Sequence, residues 1–204
     1  METNGRTQLC RNLAAIRRIG TETETPDSLF VLLNPGQCLP ASGEDSIPFA
    51  EGPLDELPLM EAKPDYTLRQ LMRLMERMKW DYVQVINLTD LRSGKFIEFK
   101  ETQQYMLAQG DSRHSIFSPE RRSELESCVA AAGTVIAGWG TESYIRKAAG
   151  DAYALLSELR TVHGLPHQNH PLYYHPFPWI KEKCIQWLDD MENQLNEAAG
   201  VFFR

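Results

Sequence analysis

Three side chains capable of chemistry fall where apolar runs end: Asn34 after Leu29–Leu33, Asn87 after Tyr82–Ile86, and His170 in the loop from His167 to Leu172. An asparagine amide donates and accepts, so Asn34 is suited to holding a water or a polar ring edge. An imidazole at His170 would serve as an acid, a base or a donor to a developing oxyanion near neutral pH. Gly36 lets the chain turn sharply and expose backbone amides to a ligand. The plainer reading of Asn34-Pro35-Gly36 is an Asx-type turn, which this tripeptide favours.

His167, His170 and His175 have no carboxylate near them in sequence, and their spacing matches no common zinc site, so no metal and no cofactor are expected. Cys10, Cys38, Cys128 and Cys184 lie far apart and read as free thiols in a reducing, cytoplasmic setting.

The elements that must position these residues are visible as periodicities. Gln8 to Ile19 spaces Leu9, Leu13 and Ile16 like a short amphipathic helix. Leu29–Leu33 is a buried central strand, stopped by Asn34-Pro35-Gly36. From Gln37 to Pro64 the chain is rich in proline, glycine and acid, with no sustained period; it is expected to be a mobile loop or a lid.

Asp65 can cap a helix whose inner face carries Leu68, Leu71, Met72, Met75 and Met78. Arg69, Arg73 and Arg77 form a row on its other side, read as a solvated face. Tyr82–Ile86 is a second strand, Ser118-Pro119-Glu120 opens a helix towards Ala132, and Gly133 to Ala137 is a third strand ended by Gly138-Trp139-Gly140. A helix over Asp151–Glu158 and a fourth strand over Leu159–Val162 follow. An amphipathic closing helix starts from Pro178, with Trp179, Ile180, Cys184, Trp187, Leu188, Met191 and Leu195 on one side.

Strands alternating with helices predict one α/β domain over residues 1–204, a three-layer α/β/α unit around a central, mainly parallel four-stranded sheet. Ligands of such sheets bind beyond the carboxyl ends of the strands. The four strand ends here are Asn34–Gly36, Asn87–Arg92, Gly138–Gly140 and His167–Leu172, and their convergence predicts one common pocket. Net charge is −7, from 28 acidic and 21 basic residues. That argues against broad duplex binding and leaves room only for a local basic patch. No stretch is long and apolar enough to enter a membrane as a span.

The series Leu32-Leu33-Asn34-Pro35-Gly36, Val85-Ile86-Asn87-Leu88, Gly138-Trp139-Gly140 and His170-Pro171-Leu172 resembles an uncharacterised bacterial domain-of-unknown-function family, number 1643, from about Ser28 to Pro176. More distantly, the same order is similar to the uracil-DNA glycosylase superfamily. That resemblance implies a glycosylase-like layout and a hydrolase acting on a nucleobase, nucleotide or nucleic acid. It gives Asn34 the water-positioning role, Asn87 the base-reading role, and His170 the role of stabilising the departing base.

Pro35, Gly36, Arg92, Trp139, Gly140, His167 and Tyr173 complete the expected substrate-binding set, with Trp139 and the tyrosines offering stacking. The chain departs from the glycosylases in carrying Leu172 where they have serine. Two other readings compete. One is a module that binds a nucleotide or phosphate without chemistry, and the other is an interaction protein using the acidic loop Gly43–Glu61.

Overall fold

Leu29, Phe30 and Val31 expose none of their surface. A run that is apolar at successive positions, rather than at alternate ones, marks a strand covered on both faces. The computed structural model describes residues 2–3, 5–49 and 57–200, and it places this run at the centre of a sheet.

The chain begins with the short strands β1 (Glu2–Thr3), β2 (Arg6–Thr7) and β3 (Ala14–Arg17), then the central β4 (Ser28–Leu32). Next come β5 (Leu39–Pro40), β6 (Ala62–Lys63), helix α1 (Tyr66–Met78), β7 (Tyr82–Asn87) and α2 (Phe96–Ala108). The second half holds α3 (Arg122–Ala131), β8 (Thr134–Ala137), α4 (Arg146–Leu159), β9 (Val162–His163) and α5 (Lys181–Ala198).

The main sheet runs β3-β7-β4-β8-β9. β4 pairs in parallel with β7 and β8, and β8 pairs in parallel with β9, whereas β3 is antiparallel to β7. The sheet is therefore mixed and five-stranded, not the mainly parallel four-stranded sheet expected. The extra strand comes from the segment read as a helix at Gln8–Ile19. There the free edge of β7 offers a ladder of backbone partners, and Ile16 joins the core on the α1 side; these outweigh the helical spacing.

Alternation along β4 divides the interior. Leu29 and Val31 pack with Leu125, Val129, Ala149, Ala152 and Leu156 of α3 and α4. Phe30 and Leu32 pack with Leu68, Leu71, Leu74 and Met75 of α1 and with Trp187, Leu188 and Met191 of α5. The result is an α/β/α layering, as expected. Among the described residues no helix is long and apolar enough to cross a membrane.

Asp65 caps α1 as its sequence suggests, its carboxylate accepting the Leu68 N–H at 2.9 Å. The inner face differs from expectation in one turn: Leu74 is buried and Met72 is exposed. The fourth strand starts at Val162, because α4 continues to Leu159 and carries that residue on its last turn. Trp179 and Ile180 precede α5 and are exposed, so they do not join its apolar side. α2 has no counterpart in the sequence reading; it buries only Phe99 and Met106, too few to reveal a period. Within the loop from Gln37 to Pro64, β5 and β6 pair as an antiparallel stem, and the part at 50–56 lies outside the described residues.

Beyond β7 the chain keeps polar groups inside. Thr89 Oγ1 lies 2.8 Å from His114 Nδ1, and the Asp90 N–H donates to the His114 carbonyl. The Asp90 carboxylate accepts from Arg121, which also binds Glu124. Burial pushes the Asp90 carboxyl upward against the pull of Arg121. A buried pair of this kind is costly to break from one side, because the remaining charge has nowhere to go. Arg121→Met should therefore lower stability by about 3–5 kcal/mol in urea unfolding. Adding Asp90→Leu should recover much of that loss; a single variant as stable as wild type would show that the pair holds nothing in place.

Candidate functional site

A cavity of about 250 Å³ opens where β4 ends. Its wall is built from four segments: the turn Asn34–Gln37, the start of α1 at Asp65–Leu68, Ser93 and Gly94 with Phe96 and Phe99, and His175, Phe177 and Trp179. Leu32 and Arg11 complete it.

The turn has the backbone its sequence demands. Gly36 has φ +64°, and a Cβ there would come within 2.9 Å of Asp65 Oδ2, so only glycine brings the turn this close to the helix cap. Asn34 Nδ2 donates to the Ser93 carbonyl at 2.8 Å. That bond fixes the amide orientation and leaves Oδ1, on the other side of Cγ, as the acceptor. Gly94 closes the opposite side, where a Cβ would meet the Gln37 side chain at 2.3 Å. The Arg11 guanidinium makes one long contact, 3.5 Å, to the Pro35 carbonyl, and its Nε is buried without a partner.

Asn87 does not line the cavity but lies on the strand next to one of its walls. In the parallel register it is paired with Leu32. Val85, two residues earlier on β7, packs in the same core as Leu32, so alternation puts the Asn87 side chain on the Leu32 face. It is fully buried, and neither its Nδ2 nor its Oδ1 has a partner. Buried polar groups left unpaired cost about 1–3 kcal/mol each, and this amide leaves both a donor and an acceptor unused beside the cavity wall.

The histidine that the cavity holds is His175. Its Nδ1 lies 3.1 Å from the Phe177 N–H. It lies 3.2 Å from the Phe177 carbonyl oxygen as well, so it accepts from the amide in one tautomer and donates to the carbonyl in the other. Burial pushes the His175 pKa below the ordinary histidine value, against the hydrogen bond to Phe177 and the charge of Asp65, so the ring is neutral at physiological pH. Around the mouth, Tyr66 stacks on Phe177 at 5.5 Å, and Trp179 meets both rings edge-on at 5.9 and 5.1 Å.

The residues expected from sequence divide into two groups. Asn34, Pro35 and Gly36 line the cavity, and Asn87 pairs with Leu32 of its wall without lining it. Arg92 instead ties the loop down, donating to the Cys38 carbonyl and to Glu44. Trp139, Gly140, His167, His170 and Tyr173 gather at the ends of β8 and β9, outside this cavity's walls. Trp139 Nε1 donates to the Pro171 carbonyl, and the Gly140 N–H to the Tyr173 carbonyl. His170 is exposed, its ring 4.6 Å from that of Tyr153. Tyr173 is buried against Trp139, and burial together with Tyr153 pushes its hydroxyl up to about 12. His167 is half-buried with its ring edge-on to Tyr174. Among the described residues no three His, Cys, Asp or Glu side chains gather as metal ligands.

Sequence reasoning saw Asp65 only as a cap, weighed His175 only as a metal ligand, and passed over Tyr66 and Phe177. The available signal was the second His-Pro dipeptide, His175-Pro176, five residues after the first.

The profile of a family described as "Protein of unknown function (DUF1643)" matches residues 59–177, more than half of the chain. The matched segment includes Asp65, Asn87, Ser93 and His175 but begins after the Asn34–Gly36 turn. No curated protein and no solved structure matches the chain.

The lowered His175 pKa fixes a direction for stability against pH. Above the ordinary histidine value, about 6.5, both folded and unfolded rings are neutral. As the pH falls below it, the unfolded chain takes up the proton first, so folding stability is lost down to the folded pKa. His175→Asn should therefore lose less stability than wild type between about pH 7 and about pH 5, measured by denaturant midpoints. Parallel curves for the two proteins would mean that the ring titrates normally.

Proposed function

The chain belongs to the DUF1643 family, and from that premise we propose that its cavity is a nucleobase site in which a bond to the base is hydrolysed. The observation that carries this reading is Asn87, an amide whose Nδ2 and Oδ1 are both buried and unpaired, next in the ladder to Leu32 of the cavity wall. A pyrimidine or purine edge offers neighbouring donors and acceptors, which an amide matches with both of its own.

The remaining walls suit the same ligand. Tyr66, Phe177 and Phe99 present flat apolar surface to a ring. Asn34 Oδ1 accepts a hydrogen from a water and holds it towards the sugar carbon that bears the base. Attack forms the C–O bond as the C–N bond breaks, the electron pair leaves with the base, and the proton that the attacking water loses passes through solvent to the base anion. His175, in the neutral tautomer whose Nδ1 accepts from Phe177 and whose Nε2 carries the hydrogen, donates to the oxygen that gathers this charge. A preorganised donor in a dry site contributes about 3–4 kcal/mol to such a step. Asp65, on the same wall, faces the positive charge that develops on the sugar. The layered α/β fold with a cavity at the carboxyl ends supports the likeness to uracil-DNA glycosylases. The resemblance gives the histidine role to His170; we give it to His175 because His175 lines the cavity.

Binding without hydrolysis is the second reading, favoured by the side chain at position 34. Asn34 is uncharged and its Nδ2 is committed to Ser93, so it activates water less than a carboxylate does.

The two are separated by calorimetric titration with uracil and thymidine monophosphate, alongside a base-release assay on a uracil-containing single strand. Asn87→Leu removes the orphaned amide and should raise stability by about 1–3 kcal/mol while weakening base binding about tenfold or more. Asn34→Ala should cut base release about a hundredfold with binding retained. Base binding that is the same in wild type and Asn87→Leu would refute the nucleobase site.

A further inference from the structure

The cavity mouth does not end at its aromatic rim. Trp179 is 77% exposed, and Tyr66 is 62% exposed. Trp179 also holds φ +66°, a left-handed conformation that a bulky residue adopts only under strain, and strain of this kind gathers at ligand clamps.

The ground beside these rings is basic. Arg69 and Arg73 follow Tyr66 on one stripe of α1, three and seven residues on. Gln70 Nε2 donates to the Cys184 carbonyl at 2.7 Å, and Arg73 donates to Gln70 Oε1 at 2.9 Å, so Arg73 sits at the seam between α1 and the first turn of α5. Lys181 and Lys183 are exposed in that same turn, which no side chain caps.

Among the described residues, none of these four cations forms an ion pair. The acids nearby are largely committed: Asp189 and Glu192 to Arg77, Glu76 to Arg18, and Asp65 to the helix cap. Glu182 is the exception in the first turn of α5. A chain with net charge −7 thus keeps an unneutralised basic strip next to exposed rings at the mouth of a cavity.

We infer that this strip is a docking surface for single-stranded nucleic acid. Nucleotides flanking the base in the cavity stack on Trp179 and Tyr66, and their phosphates lie along Arg69, Arg73, Lys181 and Lys183. Exposed rings beside cations are what an unpaired strand requires, because every base has a face to stack and every link carries a charge. A duplex keeps its bases stacked inside and gains nothing from the rings, and a free mononucleotide fills the cavity without reaching the strip. The inference rests on the nucleobase reading for what enters the cavity, but the strip is tested separately from it.

The test is fluorescence titration of the full chain with a 12-residue oligothymidylate, its duplex with oligoadenylate, and thymidine monophosphate, each at several salt concentrations. The single strand should quench Trp179 and bind about tenfold or more tighter than the mononucleotide or duplex. Its affinity should fall with salt by a slope of about −0.7 for each phosphate engaged. Trp179→Ala should abolish the quenching, and the pairs Arg69→Gln/Arg73→Gln and Lys181→Gln/Lys183→Gln should each flatten the salt slope with melting unchanged. Equal affinity for all three ligands, or a slope untouched by the charge variants, overturns the docking surface. Asn87→Leu distinguishes the two claims: if the strip is real and the cavity reading is wrong, this variant leaves oligothymidylate binding intact.

Discussion

A strand buried on both faces and paired along both edges has no freedom left, and β4 is such a strand. Its side chains fill two separate interiors, and its backbone is committed to β7 on one side and β8 on the other. Everything beyond its carboxyl end inherits a fixed position from it. The chain must leave the sheet at Leu33, and Asn34-Pro35-Gly36 is the sharp turn by which it does so. The parallel register then places Asn87 beside Leu32, so one ladder sets both a wall of the cavity and the buried amide next to it.

Much of this was legible because the strongest signals were local. An apolar run bounded by Asn-Pro-Gly reads as a buried strand whatever surrounds it, and Asp65 before a helical period reads as a cap. The failures occurred where a tertiary partner decided. Ala14–Arg17 became a strand because an edge of β7 needed covering, which helical spacing of Leu9, Leu13 and Ile16 does not reveal. α2 escaped because it buries two residues in thirteen. In the site, Asn34 and Asn87 could be named from their places at strand ends. Two His-Pro dipeptides five residues apart are equivalent on paper, and only the path of the chain past α1 brings His175, not His170, to this cavity. That a tryptophan such as Trp179 would stand in solvent contradicts its composition, and sequence gave no cue for it.

The segment after β7 shows two opposite uses of buried polarity. Thr89, Asp90, His114 and Arg121 are bonded in a network that holds the loop Leu88–Arg92 in one arrangement, with Asp90 Oδ1 and His114 Nε2 left over. Asn87, one residue before that loop, stays outside the network at both of its amide atoms. The bonded groups give the region its rigidity, and in the nucleobase reading proposed above Asn87 is the group kept for recognition.

The outer strands have a consequence for the company this protein keeps. β3 offers four residues at one border of the sheet and β9 only two at the other. Arg17, on the outer strand, folds its guanidinium back over the Tyr82 ring of β7 at 3.7 Å. Borders this short give a second chain little backbone with which to continue the ladder. The hydrophobicity that β4 needs for folding is thus enclosed between borders that offer few free backbone partners.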